Sequence, residues 1–331
     1  MSIRAPRRAI TDPIVNASSR GQALVEPPAA KVDVVVVAYN SRDTLRVCIE
    51  PLACVSWVNV IVVDNACPED SASAVDDLPV RIVRSTRNGG FAYGCNLGMA
   101  NGSADFVLLL NPDAEIDAAS LAVLVDGLRA DPSLAGVGPH IVDEAGEVIL
   151  TQHRFPRLRY TYAQGLFLHR ATPSAAWADD AIRDPEAYAR QATADWISGC
   201  CVLLRRDAVA SVGGLDEGFF LYSEETDLFK RLATAGWRAG FEPRATARHV
   251  GFQSADRNAT EAVRAVSRIL YARKHHGRLV AGLEALGVAL GALAHAAVWI
   301  RCPPRARGNL IAAREALRAF RSTAAVRRVR R

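Results

Sequence analysis

Five valines fall within the seven residues Val32–Ala38, a run bounded by polar residues on both sides. β-Branched side chains favour a pleated strand, and a continuous rather than alternating apolar run fits a strand covered on both faces. The pattern recurs. Val58–Val63 ends in Asp64-Asn65, Val80–Val83 precedes a glycine-rich turn, and Phe106–Leu110 ends in Asn111-Pro112-Asp113. A helix is predicted from Ser41, whose hydroxyl can cap it, to Leu52. Short buried strands alternating with helices predict an α/β fold with a parallel sheet and right-handed crossovers. Ligands of such sheets sit beyond the carboxyl ends of the strands. Tyr39, Asn40, Asp64, Asn65, Asn111 and Asp113 all fall there, as one convergent polar rim.

The second half reads differently. Residues 151–195 are expected to be irregular and are rich in aromatic and charged side chains. The stretch from Trp196 to Arg205 contains a further apolar strand, Gly213–Asp216 is a turn, and Glu224–Ala235 has helical spacing with Gly236 to stop it. Leu279–Ile300 is almost wholly apolar yet holds Glu284 and His295. Its length approaches the ~20 residues that span a bilayer. A carboxylate in hydrocarbon costs roughly 2.5–3.5 kcal/mol on insertion scales, which favours an amphipathic or buried helix at a membrane surface over a true span. Residues 301–331 hold ten Arg and one Glu, a local +9, so the remainder carries −4 of the +5 total. A basic tail on a mildly acidic body points to anionic lipid headgroups. Nucleic acid is the weaker partner, because the tail shows no zinc, zipper or RNP pattern. Residues 1–30 read as a flexible leader without the apolar core of a secretory signal. Seven cysteines, an odd number with no C-x-x-C, predict a reducing, cytoplasmic compartment and no structural zinc.

Five segments carry chemistry. Asp64 can accept a hydrogen bond from a base N–H or a ribose hydroxyl, or can simply end a strand in a turn. In Asn88-Gly89-Gly90-Phe91-Ala92-Tyr93-Gly94-Cys95-Asn96, adjacent glycines let backbone approach a ligand, and the following helix start can face a phosphate. The spacing is not G-x-G-x-x-G, so a dinucleotide fingerprint is not supported. Asp113, on a rigid strand end, suits a divalent cation that takes one or two carboxylates plus water and phosphate oxygens. Glu224, Glu225 and Asp227 cluster at a helix start. The helix dipole alone accounts for them, and so does a general base whose pKa is raised by neighbours and aromatic cover. His249 is either structural or a further contact to metal or phosphate.

Taken in order, these segments resemble the inverting family 2 glycosyltransferases of the GT-A fold, in particular their bacterial rhamnosyltransferase-like branch. The matching residues are Val36–Asn40, Val62–Ala66, Asn88–Ala92 through Asn96, Leu110–Ala114, Ser198-Gly199, Gly213–Asp216 and Gly236-Trp237, over roughly residues 32–255. The resemblance implies a Rossmann-like, mixed but mostly parallel sheet flanked by helices over residues 31–255, followed by a helical, basic, membrane-associating extension over 256–331. It implies that Ala38, Tyr39, Asn40, Asp64, Asn88, Gly89, Asn96 and Asn111 hold the donor nucleotide. Asn111 and Asp113 stand at the family's Asp-x-Asp motif, so Asp113 with His249 would hold Mg²⁺ or Mn²⁺. The family's Glu-Asp pair reads Glu224-Glu225 here, which puts the catalytic base at Glu225, with Glu224 second. Ser198, Gly199, Asp216, Asp227 and Trp237 would line the donor and acceptor pocket, and 151–195 would be an acceptor-side insertion. The implied reaction is inverting transfer of a sugar, with dTDP-L-rhamnose the favoured donor and UDP- or GDP-hexose the alternatives. A saccharide or lipid-linked saccharide would accept it, in cell-envelope glycan synthesis on the inner face of the plasma membrane. Two rivals stay open: a nucleotide-dependent oxidoreductase, and an inactive sugar-nucleotide-binding protein that keeps the fold.

Overall fold

The computed structural model describes residues 30–172, 175–249 and 257–321. The expected leader therefore lies almost wholly outside the described residues, as do residues 250–256 and the basic tail from 322 onward.

Strand β1 (Val32–Ala38) is buried at every position. Its valines alternate between two cores. Val34 and Val36 join Leu45 and Ile49 of α1 (Arg42–Ala53), while Val35 and Val37 join Cys95 and Met99 of α2 (Phe91–Ala100) on the other face. Full burial of one such aliphatic side chain is worth roughly 1.5–3 kcal/mol, so the apolar run Val34–Ala38 is what holds this strand at the centre, the buried Asp33 before it being satisfied by Arg206 and the Ala104 N–H. β1 pairs in parallel with β2 (Val58–Asp64) on one side and β4 (Phe106–Leu110) on the other; β3 (Arg81–Arg84) follows β2 in the same direction. Ala38 lies opposite Asp64, and Val36 opposite Leu110, so three carboxyl ends meet at one edge.

Beyond β4 come β10 (Cys201–Arg205), β6 (Leu134–Val142), β11 (Arg238–His249) and β5 (Ala114–Ile116), with β8 (Ala192–Ala194) on β11. The nine-stranded sheet is mixed: β5, β8 and β10 oppose the other six. Helix α3 (Ala118–Ala130) covers the α1 face, and α7 (Arg206–Ser211) and α8 (Glu224–Thr234) cover the α2 face. The α/β class and the mostly parallel sheet are as the strand pattern predicts.

Local expectations need correction at two places, and a third is refined: the strand expected within Trp196–Arg205 is present as β10. Ser41 does not cap α1 through its hydroxyl, which is buried without a partner. Its backbone at φ −130°, ψ 24° departs from the extended conformation that aims a capping oxygen at the first turn. Residues 151–195 are ordered into short elements rather than irregular: β7 (Gln152–His153), α4 (Leu158–Gly165), α5 (Leu168–Ala171), α6 (Pro185–Ala189) and β8. The apolar stretch after Trp196 is interrupted: β9 (Trp196–Ile197) pairs with β7 in a separate two-stranded sheet, and the main-sheet strand starts only at Cys201.

The C-terminal extension is helical. Within α9 (Arg257–Val298), Gly277 at φ 83°, ψ 179° breaks the helix into arms 257–276 and 278–298. Such a conformation is open essentially to glycine alone. Arg268 bonds Glu284 at 3.0 Å, and farther from Gly277 the charge of Glu261 is felt at His295, so the arms fold back as a hairpin. Helix α10 (Pro303–Arg321) lies along it, with Arg273 Nη2 donating to the Phe320 carbonyl at 2.5 Å. The second arm buries its small residues Ala281, Ala285 and Ala289 and leaves Leu279, Leu283, Leu286, Leu290 and Leu293 exposed. Glu284 faces inward, where Arg268 and Thr161 satisfy it.

Candidate active site

The carboxyl edge of β1, β2 and β4 builds the first wall. The Ala38 carbonyl accepts the Asn65 N–H at 3.1 Å, which locks the ends of β1 and β2 together. Tyr39 and Asn40 follow, Asn40 with φ 49° and its N–H on Cys67 Sγ at 3.2 Å. Asp64 is buried. Its carboxylate accepts from the Cys67 N–H at 2.9 Å and from Arg84 Nη1 at 3.1 Å. Asn65 shapes the glycine loop: its amide donates to Asn88 Oδ1 and the Gly90 carbonyl and accepts from the Gly89 N–H.

That loop is fastened to the far side of the cleft. The Phe91 N–H donates to the Phe220 carbonyl at 2.8 Å, and Gly90 holds φ +88° where a Cβ would stand 2.1 Å from the same oxygen. The chain then passes through Tyr222 and Ser223, both at positive φ, into α8. Two consecutive non-glycine residues in the left-handed region cost of order 1–3 kcal/mol each, and strain of this kind gathers at functional sites. The turn sets Glu224 and Glu225 at the helix start. Each carboxyl leaves one buried oxygen, Oε2, without a partner. Burial pushes Glu224 well above the ordinary glutamate range, and the adjacent Glu225 adds to it. Burial also raises Glu225, with backbone N–H groups that include Gly199 and the charge of Arg264 partly offsetting it. A buried, uncommitted carboxyl of raised pKa is what a proton acceptor near neutral pH requires.

The third wall comes from β4, β5 and β11. Asn111 donates its N–H to the Cys200 carbonyl at 2.8 Å, so the end of β4 meets the start of β10. Asp113 is buried, and its Oδ1 lies 3.1 Å from His249 Nε2. The β5–β11 ladder, with Ala114 opposite His249, closes this pair across 136 positions. Cys200 lies between the walls: its thiol is pushed up to about 11, chiefly by burial, and it feels the charges of both Glu225 and Asp113. Ser198 and Gly199 complete the junction. Ser198 Oγ lies 3.5 Å from Cys200 Sγ, and a Cβ on Gly199 would stand 3.5 Å from Glu225 Cβ. Among the described residues no three His, Cys, Asp or Glu side chains gather as a metal cage. The Asp113–His249 pair still fits a hard cation that keeps water and phosphate ligands.

Not every expected residue faces this cleft. The Asn96 amide is spent on Leu215 and Glu217, holding the Gly213–Asp216 turn. Asp216 Oδ2 takes Lys274 at 2.6 Å. Asp227 is fully buried and bound by Arg231, Lys274 and His275, which ties α8 to α9. Trp237 precedes β11, whose first residue Arg238 is opposite Leu134, at the end of the sheet away from the carboxyl edge. Conversely, Arg84 on Asp64, and Arg264 beside Glu225, were not foreseen. Arg84 is legible as the last residue of a strand; Arg264 carries no sequence signal, because a helix of the extension delivers it.

Comparison with known proteins bears on the family and the fold. The model of glycosyl transferase family 2 matches residues 33–212. An N-acetylglucosaminyl-diphospho-decaprenol L-rhamnosyltransferase of Mycobacterium tuberculosis is 29% identical over 262 residues, covering 74% of this chain and 85% of that protein. The pre-mycofactocin glycosyltransferase of the same organism is 29% identical over 226 residues, 67% of this chain and 43% of that one. Among solved structures, a mannosyltransferase from Pyrobaculum calidifontis in complex with GDP-Man and Mn²⁺ superimposes with a TM-score of 0.50 at 18% identity, covering 88% of this chain and 86% of that one. At that identity the likeness shows the fold, and it is the GT-A fold.

Proposed function

Because the chain belongs to glycosyl transferase family 2, we propose that it moves a sugar, L-rhamnose from dTDP-L-rhamnose, onto a hydroxyl of a lipid-linked saccharide with inversion at the anomeric carbon. One observation carries the reading: a buried carboxyl with a free oxygen, Glu225, and the Asp113–His249 pair flank the same residue, Cys200. In this reading the proton acceptor and the place for a diphosphate serve one site, on either side of Cys200. Tyr39, Asn40 and Asp64 receive the base and ribose, and the loop at Asn88 and Gly89 borders the phosphates. The rhamnosyl and lipid-linked parts of the proposal rest on the mycobacterial relative; UDP- and GDP-hexoses are the competing donors.

In this mechanism Glu225 takes the proton of the acceptor hydroxyl. The freed oxygen pair attacks the anomeric carbon from the face opposite the diphosphate, and the carbon–oxygen bond to the diphosphate breaks, its electrons leaving with the nucleotide. Asp113 and His249 would hold a Mg²⁺ or Mn²⁺ ion, which would neutralise charge on the departing diphosphate.

The exposed leucines of α9 support docking on a membrane. Leu279, Leu283, Leu286, Leu290 and Leu293 recur every three or four residues, and the helix is long and apolar enough to cross a bilayer. Glu284 inside the protein and arginines at both ends favour an arm lying on the cytoplasmic leaflet.

The test is transfer with dTDP-rhamnose, UDP-glucose and GDP-mannose, each with Mn²⁺ or Mg²⁺ and N-acetylglucosaminyl diphosphate on a short isoprenoid. Rhamnosyl product of inverted configuration is expected. Nucleoside diphosphate release from none of the donors would leave only a binding protein.

A further inference from the structure

A cleft of roughly 660 Å³ lies outside the donor site, between α4, both arms of α9 and α10. Its floor is tight backbone packing: a Cβ on Gly165 would stand 2.9 Å from the Gly291 Cα. Its two ends differ. The inner end carries Arg264, whose guanidinium lies 4.7 Å from the centroid of the Tyr222 ring and whose charge reaches Glu225. Ser267 on the same helix bonds the Leu221 carbonyl at 2.7 Å, so the turn bearing the base is seated on this arm. The outer end carries His295, stacked on Phe167 at 4.3 Å, and Trp299. Leu166, Leu168 and Ile300 are exposed next to those residues in the chain. From Val288 to its end at Val298 the helix runs roughly 15 Å at 1.5 Å per residue, long enough to border a saccharide head.

The walls are electrically balanced. Arg268 pairs with Glu284 at 3.0 Å and Arg183 with Asp179 at 2.6 Å, while Arg264 meets Glu261 only at 3.9 Å. His169 Nδ1 is buried without a partner. A hydroxyl-rich head that passes Arg264 finds polar partners along these walls, and an apolar tail finds an apolar rim.

We propose that this cleft is the acceptor channel: the head of an amphiphilic, lipid-linked saccharide reaches Glu225 past Arg264, and its chain leaves over Trp299 and Ile300 towards the leucine face. The proposal rests on the transferase reading above, with Glu225 as base. It assigns to the helical extension a part in substrate binding, beyond anchoring.

Photolabelling separates the two readings, because it needs no donor. The full-length protein is irradiated with N-acetylglucosaminyl diphosphate on a short isoprenoid bearing a terminal diazirine, then digested and sequenced by mass spectrometry. Label is expected on peptides spanning 158–171 and 287–300, competed by excess unlabelled acceptor. Ala292→Trp, which fills the channel, is expected to cut the labelling and to raise the acceptor KM by about tenfold while the donor KM stays within about twofold. Arg264→Ala is expected to weaken labelling by more than it weakens donor binding. Competed label outside these peptides, or unchanged labelling in an Ala292→Trp protein that melts like wild type, overturns the channel. Correct labelling with no transfer from any donor keeps the channel and instead defeats the transferase reading.

Discussion

Phe91 and Phe220 are joined backbone to backbone at 2.8 Å, and this bond fastens the glycine loop to the turn that presents Glu225. Gly90 makes the approach possible, with φ +88° and no room for a Cβ beside the Phe220 oxygen. Gly90→Ala is therefore expected to cost roughly 2–3 kcal/mol of backbone strain and contact. Chemical denaturation should show the loss, and transfer should fall further than stability explains, because the cleft's two walls separate. A Gly90→Ala protein with wild-type midpoint and activity would mean that the loop and turn are independent.

The acid pair separates base from neighbour. Glu225→Gln keeps shape but cannot take a proton, so transfer should drop by about 10²–10⁴, the usual worth of general base catalysis. Donor affinity, read by isothermal titration with dTDP-rhamnose, should hold. Glu224→Gln should lose far less. If Glu224→Gln is the inactive protein, the base is Glu224.

Both carboxyls have raised pKa values, so two pH trends run in opposite directions. Transfer needs the Glu225 carboxylate, and its rate should fall as pH drops through a value above the ordinary glutamate range. Stability behaves inversely. Between the unfolded and folded pKa values the folded chain binds more protons, so unfolding free energy falls as pH rises. Melting scans from pH 5 to pH 8 should show Glu224→Gln gaining on wild type towards the alkaline end. An unchanged gap would mean that the buried oxygen of Glu224 is not a source of strain.

Asp113→Ala tests the cation pair. It leaves His249 alone, so Mn²⁺-dependent donor binding and turnover should fall by more than the roughly tenfold to hundredfold that loss of an outer-shell partner costs. Thermal shift with and without Mn²⁺ in the presence of nucleotide reads this directly. Activity equal to wild type would place the cation elsewhere.

How much of this was legible in the chain depends on what a residue type encodes. Strands β1, β2 and β4 were visible because short β-branched and aliphatic runs bounded by polar and turn residues suit a sheet covered on both faces. Their carboxyl ends followed by geometry, and with them Tyr39, Asn40, Asp64 and Asp113. Direction was not legible. Asn96, Asp216 and Asp227 are polar residues near the site, but the sequence does not say whether a side chain turns to a ligand or to the protein, and these turn to Leu215, Lys274 and Arg231. The cleft beside α4 was not legible for another reason: its walls come from α4 and α9, about ninety residues apart at their nearest ends, and Gly165 and Gly291 let the two helices touch backbone to backbone.

Asp227 shows how the extension can govern the catalytic helix. It sits two residues after Glu225, fully buried, and receives Arg231 at 2.8 Å, Lys274 at 2.7 Å and His275 at 2.7 Å. Burial alone would raise its pKa, yet the hydrogen bonds of His275 and Lys274 and the charge of Arg231 hold it below the ordinary aspartate range. A depressed acid contributes stability above its unfolded pKa and loses it as pH falls through the folded one. Asp227→Asn removes the charge and leaves Arg231 without its carboxylate, while Lys274 keeps Asp216, a loss that should cost roughly 3 kcal/mol near neutral pH. The gap between variant and wild type should narrow as pH falls below the usual carboxylate range. Because Lys274 and His275 belong to α9, the same change should loosen α8 against the extension and lower transfer even in the folded fraction. Urea titrations at pH 7 and pH 3.5, paired with turnover at pH 7, give both readings; a gap that stays constant with pH would show that the Asp227 charge does not join the two helices.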